Sequence, residues 1–122
     1  ASAAHAVPRA VAAPRAAARR RPAPRPARML VFSREHTLVT ARSTVPAGRL
    51  ILQLRNIGED GHDLAIRDAR GRVVGRIPEI APGTTGALRV TLRPGRHLLV
   101  CTLPGHEHAG MTRAFRVTRG PR

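Results

Sequence analysis

The stretch Cys101-Thr-Leu-Pro-Gly-His106-Glu-His-Ala-Gly-Met111 contains the only cysteine of this 122-residue sequence. It follows a short apolar run that predicts a β-strand, so a strand would carry Cys101 to one end of a domain. The Pro104-Gly105 pair predicts a chain reversal that returns His106 toward the sulfur, and Met111 arrives as the last predicted strand begins. One thiolate, one imidazole and one thioether are therefore expected to converge from a single loop.

A second imidazole must come from elsewhere in the chain, and His62 is the best-placed candidate. It follows the loop Asn-Ile-Gly-Glu-Asp-Gly at 56–61 and opens a predicted strand, so it can reach the same end of the domain. Two histidines, one cysteine and a weakly bound methionine are the donor set of blue copper. Zinc makes little use of methionine sulfur. Four such ligands also leave no open position for a substrate, which favours one-electron transfer over catalysis at the metal.

The chain around this loop predicts an all-β domain. From Met29 onward, short apolar stretches alternate with turn signals built from proline and glycine, and no helical period of comparable length occurs. The predicted strands cover 29–33, 37–41, 49–57, 62–67, 72–76, 84–92, 96–102 and 112–118. Seven or eight strands at this spacing are typical of a Greek-key β-sandwich.

The first 28 residues have a different composition. Alanine, proline and arginine fill 24 of these 28 positions, and none of the 28 is acidic. We expect a disordered tail or linker at 1–28 and a copper-binding domain at 29–122. The sequence begins with alanine and has no apolar run of 18 residues, so we expect a processed chain whose only membrane attachment would be a missing upstream anchor.

The net charge of +15 arises from 22 arginines, with no lysine, against seven acidic residues. Such a charge is compatible with nucleic-acid binding, but no reading motif or platform of stacking aromatic residues accompanies it. Arginine without lysine, together with abundant alanine, is typical of a GC-rich genome, and we expect no nucleic-acid partner. Residues 29–122 keep a charge of +8, so a redox partner protein with an acidic surface would be attracted to them.

The spacing Cys-x4-His-x4-Met, with Asn-x-Gly-x3-His-Asp-Leu about forty residues earlier, resembles the cupredoxins, the copper-binding family of plastocyanin, azurin and sulfocyanin. The resemblance covers residues 29–122. It implies a cupredoxin fold, one copper ion and a monomeric electron carrier located outside the cytoplasm. It makes His62, Cys101 and His106 the equatorial ligands and Met111 the axial ligand.

The resemblance also implies supporting roles for three further residues. Asn56 matches the asparagine that opens the first copper loop, and Asp63 matches the residue that ties the two ligand loops together, with Thr102 as its partner. Two features depart from the family. The aromatic residues that commonly precede the cysteine are replaced by Leu98-Leu99-Val100, and the acidic recognition patches are missing.

Other interpretations of the same residues stay open. A lone cysteine is often an inert buried thiol, and a methionine often fills a core. A nucleophilic Cys–His enzyme would use the same two side chains, but it needs a third orienting group and a substrate cleft, so we expect neither an enzyme nor a small-molecule substrate. The main functional alternative is an extracytoplasmic protein that binds or delivers copper without carrying electrons. A third is an extracellular structural module whose copper is incidental.

Four other histidines lie outside the predicted ligand set. His97 shares the strand and face of Cys101, but four residues place it about 13 Å away along the strand, and we expect it at the surface or rim. His108 is close enough to replace a ligand if the loop rearranged, and we expect it to be exposed. His5 and His36 have no partners that the sequence reveals.

Overall fold

The computed structural model describes residues 25–120, which contain nine strands and no helix. In chain order the strands are β1 (Ala27–Arg34), β2 (Thr37–Thr40), β3 (Thr44–Pro46), β4 (Gly48–Asn56), β5 (His62–Arg67), β6 (Val73–Ile80), β7 (Thr85–Leu92), β8 (Gly95–Val100) and β9 (Thr112–Thr118). Most of the tail predicted at 1–28 lies outside the described residues. Within the described range, no helix has the length and apolar character needed to cross a membrane.

The strands form two sheets. One sheet has the order β2-β1-β4-β7, and the other has the order β3-β9-β8-β5-β6. The chain passes from one sheet to the other five times: on entering and leaving β3, between β4 and β5, between β6 and β7, and between β7 and β8. The all-β sandwich predicted from the sequence is confirmed. The expected number of seven or eight strands is wrong, because the described residues contain nine.

The additional strand is β3, whose three residues lie between the strands predicted at 37–41 and 49–57. A stretch this short cannot show the alternation that identifies a strand, and Pro46 normally argues against one. β3 lies at the edge of its sheet, parallel to β9, where a proline is tolerated. β6 also extends past its predicted end at 76. Its Pro78 falls where the register with β5 shifts between His62 and Leu64, so a ladder hydrogen bond is not required there.

The core lies between the two sheets and is built mainly from aliphatic residues. In β4, Leu50, Ile51, Leu52 and Leu54 are buried, and from Leu52 onward the buried residues alternate with the exposed Gln53 and Arg55. This alternation is the two-residue period of a strand with one face in the core. Fixed register along β4 and its neighbours then fixes where each strand ends, and therefore where each loop begins.

One end of the sandwich collects the loops that carry the candidate ligands. We call this the site end, defined by the turn at 35–36, the loop at 57–61 and the loop at 101–111. β5 starts there and β8 ends there, and the two strands are antiparallel neighbours with Ala65 opposite Val100. The opposite end, which we call the far end, is defined by the turns at 68–72 and 93–94.

Candidate metal centre

Three side chains from two loops converge at the site end. The Cys101 Sγ atom lies 3.4 Å from His106 Nδ1 and 3.8 Å from His62 Nδ1. An ion about 2.3 Å from sulfur and about 2.0–2.1 Å from each nitrogen, with angles of about 110–120°, would hold sulfur and nitrogen about 3.5–3.8 Å apart. The observed separations are close to these values, so the three donor atoms fit a single ion.

The three side chains differ in their exposure to solvent. Cys101 and His62 have no exposed surface, whereas His106 is half-buried. Burial raises the pKa of the Cys101 thiol, and the backbone N–H of Leu103 opposes that shift. A cation at the centre of the three donors would favour the thiolate form, because a nearby positive charge stabilises an anion.

Met111, the fourth predicted ligand, is also completely buried and packs within the core cluster that includes Cys101. Its carbonyl oxygen accepts a hydrogen bond from the Cys101 N–H at 3.1 Å, and its own N–H donates to the His106 carbonyl at 3.0 Å. The loop at 101–111 is therefore closed on itself, with Met111 held beside Cys101.

Asn56 fixes the loop that leads into His62. Its side chain is buried, and its Nδ2 donates to the carbonyl oxygens of Asp60 at 2.8 Å and Ile80 at 3.2 Å. Its Oδ1 accepts from the Gly58 N–H at 2.9 Å. One amide thus bonds three backbone groups, two in the loop and one at the end of β6, which determines the path of the loop.

Asp63 joins the two ligand loops. Its Oδ1 accepts a hydrogen bond from the Thr102 N–H at 2.6 Å, and its Oδ2 accepts one from the Thr102 hydroxyl. Asp63 directly follows His62, and Thr102 directly follows Cys101. The contact expected between Asp63 and Thr102 is present, and it holds His62 and Cys101 close to each other.

Glu35 is the residue at this centre that the sequence analysis missed. Its Oε1 lies 2.9 Å from His62 Nε2 and also accepts hydrogen bonds from the N–H groups of Glu59 at 3.0 Å and Asp60 at 2.7 Å. These backbone donors, Asp60 first, lower the pKa of Glu35 to about 2. A carboxylate that accepts from the outer nitrogen of a histidine orients the ring and strengthens it as a ligand.

Gly58 makes this approach possible. A Cβ atom at that position would lie 2.5 Å from Glu35 Oε1, which is closer than a carbon and an oxygen can come. The turn at 35–36 lies more than twenty residues upstream and carries no motif. Nothing in the linear sequence therefore connects Glu35 with His62.

The other histidines divide into buried and exposed ones. The expectation that His97 lies at the rim is wrong, because it is only 7% exposed and its ring stacks on Phe115 with centroids 5.3 Å apart. Positions 97 and 99 lie on the inward face of β8, and position 101 continues the same alternation just past its end, and this alternation buries His97. His108 is exposed as expected. His36 contacts His106 edge to face at 5.2 Å, and His5 lies outside the described residues.

Comparisons with solved structures identify proteins of similar fold. An auracyanin from the photosynthetic bacterium Roseiflexus castenholzii matches with a TM-score of 0.63 and 18% identity, over 73% of this chain and 94% of that one. Auracyanin A, a "blue" copper protein from Chloroflexus aurantiacus, matches with a TM-score of 0.65 and 15% identity, over 76% and 99%. Auracyanin B matches with a TM-score of 0.61 and 20% identity, over 79% and 92%.

No protein-family model matches the sequence, and no curated protein matches it. At identities of 15–20%, the structural likeness establishes the fold. The chain has the cupredoxin fold that its sequence predicts.

Proposed function

We propose that this cupredoxin-fold domain is a blue-copper protein that carries single electrons by cycling one copper ion between Cu(II) and Cu(I). The observation that carries the proposal is the approach of the buried Cys101 thiol to the Nδ1 atoms of His106 and His62 at 3.4 and 3.8 Å. Two imidazoles and a thiolate are the equatorial donors of blue copper. The likeness to auracyanin A, itself described as a "blue" copper protein, supports the same metal.

Met111 completes the proposed ligand set. It is buried in the same cluster as Cys101, and the backbones of the two residues are hydrogen-bonded. A thioether is a weak donor that occupies a long axial position in such sites. Met111 would therefore adjust the preference of the site between the two copper oxidation states more than it would hold the ion.

Burial favours an electron carrier over a copper-delivery protein. Among the four proposed ligands, His62, Cys101 and Met111 have no exposed surface, and only His106 is half-buried. A receiving protein would have to reach the metal to exchange ligands with it, whereas an electron can pass through the partly exposed ring of His106. A closed set of four ligands also leaves no position for a substrate, which supports a non-enzymatic role.

The role requires a redox partner protein, and we place the exchange outside the cytoplasm, with a monomeric carrier. This location follows the resemblance to the cupredoxins. Fractionation of cells into cytoplasmic and extracytoplasmic material tests it directly.

The absorption spectrum of the Cu(II)-loaded protein tests the site. We expect one bound copper and an intense visible band from thiolate-to-copper charge transfer, and we expect Cys101→Ser to lose that band. His108→Ala is the matched control, because His108 lies exposed on the same loop, and it should keep the band. A Cys101→Ser protein that keeps the visible band would refute the assignment.

Repeated reduction and oxidation separates the carrier from the delivery protein. We expect the ion to stay bound through the cycle, because three of the four proposed ligands are buried and hydrogen bonds hold the loops that carry them. Release of copper in one oxidation state would favour delivery instead.

A further inference from the structure

We propose a second, exposed transition-metal site at the site end, formed by His36, Asp60 and His106, which shares His106 with the buried site. One ligand atom from each of these three residues lies within 4.8 Å of the other two. The rings of His36 and His106 meet edge to face with centroids 5.2 Å apart. His36 and Asp60 are exposed, so an ion can reach them directly from solvent.

The side chain of Glu35 connects the segment that carries His36 with the loop that carries Asp60. His36 lies in the turn at 35–36, and Asp60 lies in the loop at 57–61. The Asp60 N–H donates to Glu35 Oε1 at 2.7 Å, and the Glu59 N–H donates to the same carboxylate. The turn and the loop are therefore connected at Asp60 itself and at Glu35, one residue before His36, which reduces the entropy lost when an ion is bound.

The donor set selects a divalent transition ion. Two imidazoles and one carboxylate suit Zn²⁺ or Cu²⁺, with water completing the coordination. The carboxylates of Glu35 and Glu59 lie on the neighbouring residues and add negative charge at this position. In a chain with a net charge of +15, such a local group of acids is where a cation is attracted.

Because both sites use His106, an ion bound in one site should lower the affinity of the other site for its ion. His106 Nδ1 faces the Cys101 thiol at 3.4 Å, so we assign the outer ion to Nε2. A neutral imidazole offers one lone pair and carries its proton on the other nitrogen. An ion on Nδ1 leaves the proton on Nε2, and an outer ion must then displace it. Each ion should weaken the binding of the other by the same factor.

Zinc titration of full-length variants tests the outer site without any copper. The reference protein is Cys101→Ala, which removes the thiolate of the buried site, and calorimetry measures its affinity for Zn²⁺. Loss of an outer-shell partner alone costs about 10–100-fold in metal affinity, so removing a direct ligand by His36→Ala or Asp60→Asn in this background should cost at least about tenfold. His108→Ala in the same background is the matched control and should leave the affinity unchanged.

Equal zinc affinity in all four proteins would overturn the proposal. Because this experiment uses zinc alone, its result does not depend on whether the wild-type protein forms a blue copper site. A second measurement tests the shared histidine: wild-type protein loaded with copper should bind Zn²⁺ at the outer site more weakly than Cys101→Ala does. Equal affinities would show that His106 is not shared.

Discussion

The two ends of the sandwich differ in how their charged residues are used. Six of the seven acidic residues lie in or beside the loops of the site end: Glu35, Glu59, Asp60, Asp63, Glu79 and Glu107. Asp68 is the acidic residue of the far end, where it lines a shallow pocket with four arginines: Arg70, Arg72, Arg93 and Arg96. The positive excess of the domain is therefore concentrated away from the candidate metal centre.

Three of the six acids of the site end accept hydrogen bonds from within the domain. Glu35 accepts from two loop amides and faces His62, Asp63 accepts twice from Thr102, and Glu107 forms a two-pronged ion pair with Arg67 at 3.0 and 3.1 Å. They fix loops more than they form a recognition patch. An acidic partner surface would be attracted most strongly to the far end. The net charge of +8 on residues 29–122 does not by itself say where the positive charge lies.

Removing Asp63 should have the largest effect at the site end. In Asp63→Ala, the Thr102 N–H and hydroxyl both lose their acceptor, so the His62 and Cys101 loops are no longer tied. Loss of such a partner typically lowers metal affinity by about 10–100-fold, and competition with a copper chelator measures the change. Thr102→Val keeps the backbone hydrogen bond and loses only the hydroxyl one. Its copper affinity should therefore lie between those of the wild type and Asp63→Ala. Unchanged affinity and potential in Asp63→Ala would leave the bracing role without support.

Replacing Glu35 should have the next largest effect. Glu35→Gln keeps the size of the side chain but removes the negative charge beside His62 Nε2. Cu(II) should lose more stabilisation than Cu(I), so the reduction potential should rise. The affinity for Cu(II) should fall by about tenfold, the low end of the range seen when a ligand loses its hydrogen-bond partner. Voltammetry measures the potential. Glu107→Gln is the control at the same end, because its carboxylate pairs with Arg67 and not with a proposed ligand, and equal shifts in both variants would argue for a general charge effect.

Part of this centre follows from the sequence, and part depends on contacts that no local pattern records. The Cys101 loop and the His62 loop are each local: turn residues and strand starts fix their directions, and pairing of β5 with β8 brings them together. Glu35 reaches His62 across 27 residues. The sequence feature related to this contact is Gly58, but a glycine in a loop can have several structural causes. His97 shows the reverse case. Its distance from Cys101 along the strand excludes it as a ligand, but the alternation along that strand places its side chain inward, which predicts burial.

Met111 should change the reduction potential while copper stays bound. The thiolate and two imidazoles already define the equatorial plane, so the weak axial thioether contributes little to retention. Met111→Gln introduces a harder oxygen that prefers Cu(II), and the potential should fall. Met111→Leu removes the donor, and the potential should rise. If Met111 is only a core residue, both variants would change thermal stability and leave the potential fixed, so voltammetry and thermal unfolding of the three proteins separate the two roles.

The smallest effect is expected at the far end, where Asp68→Asn should change the pH dependence of stability and leave copper binding unchanged. The Arg72 N–H, together with the Arg70 N–H and the Arg72 guanidinium, lowers the pKa of Asp68 below its ordinary value. A carboxylate whose pKa is lower in the folded than in the unfolded state stabilises the fold fully above its unfolded pKa of about 3.9. That stabilisation is lost as the pH falls through the folded pKa.

Asparagine keeps an acceptor for the two backbone donors but has no charge. The free energy of unfolding of the wild type should therefore exceed that of Asp68→Asn by a constant amount near neutral pH, and the difference should shrink below about pH 4. Denaturant titrations across this range measure it. A difference that persists unchanged to pH 2 would mean that the charge of Asp68 does not stabilise the turn, and a change in the copper spectrum would mean that the two ends are not independent.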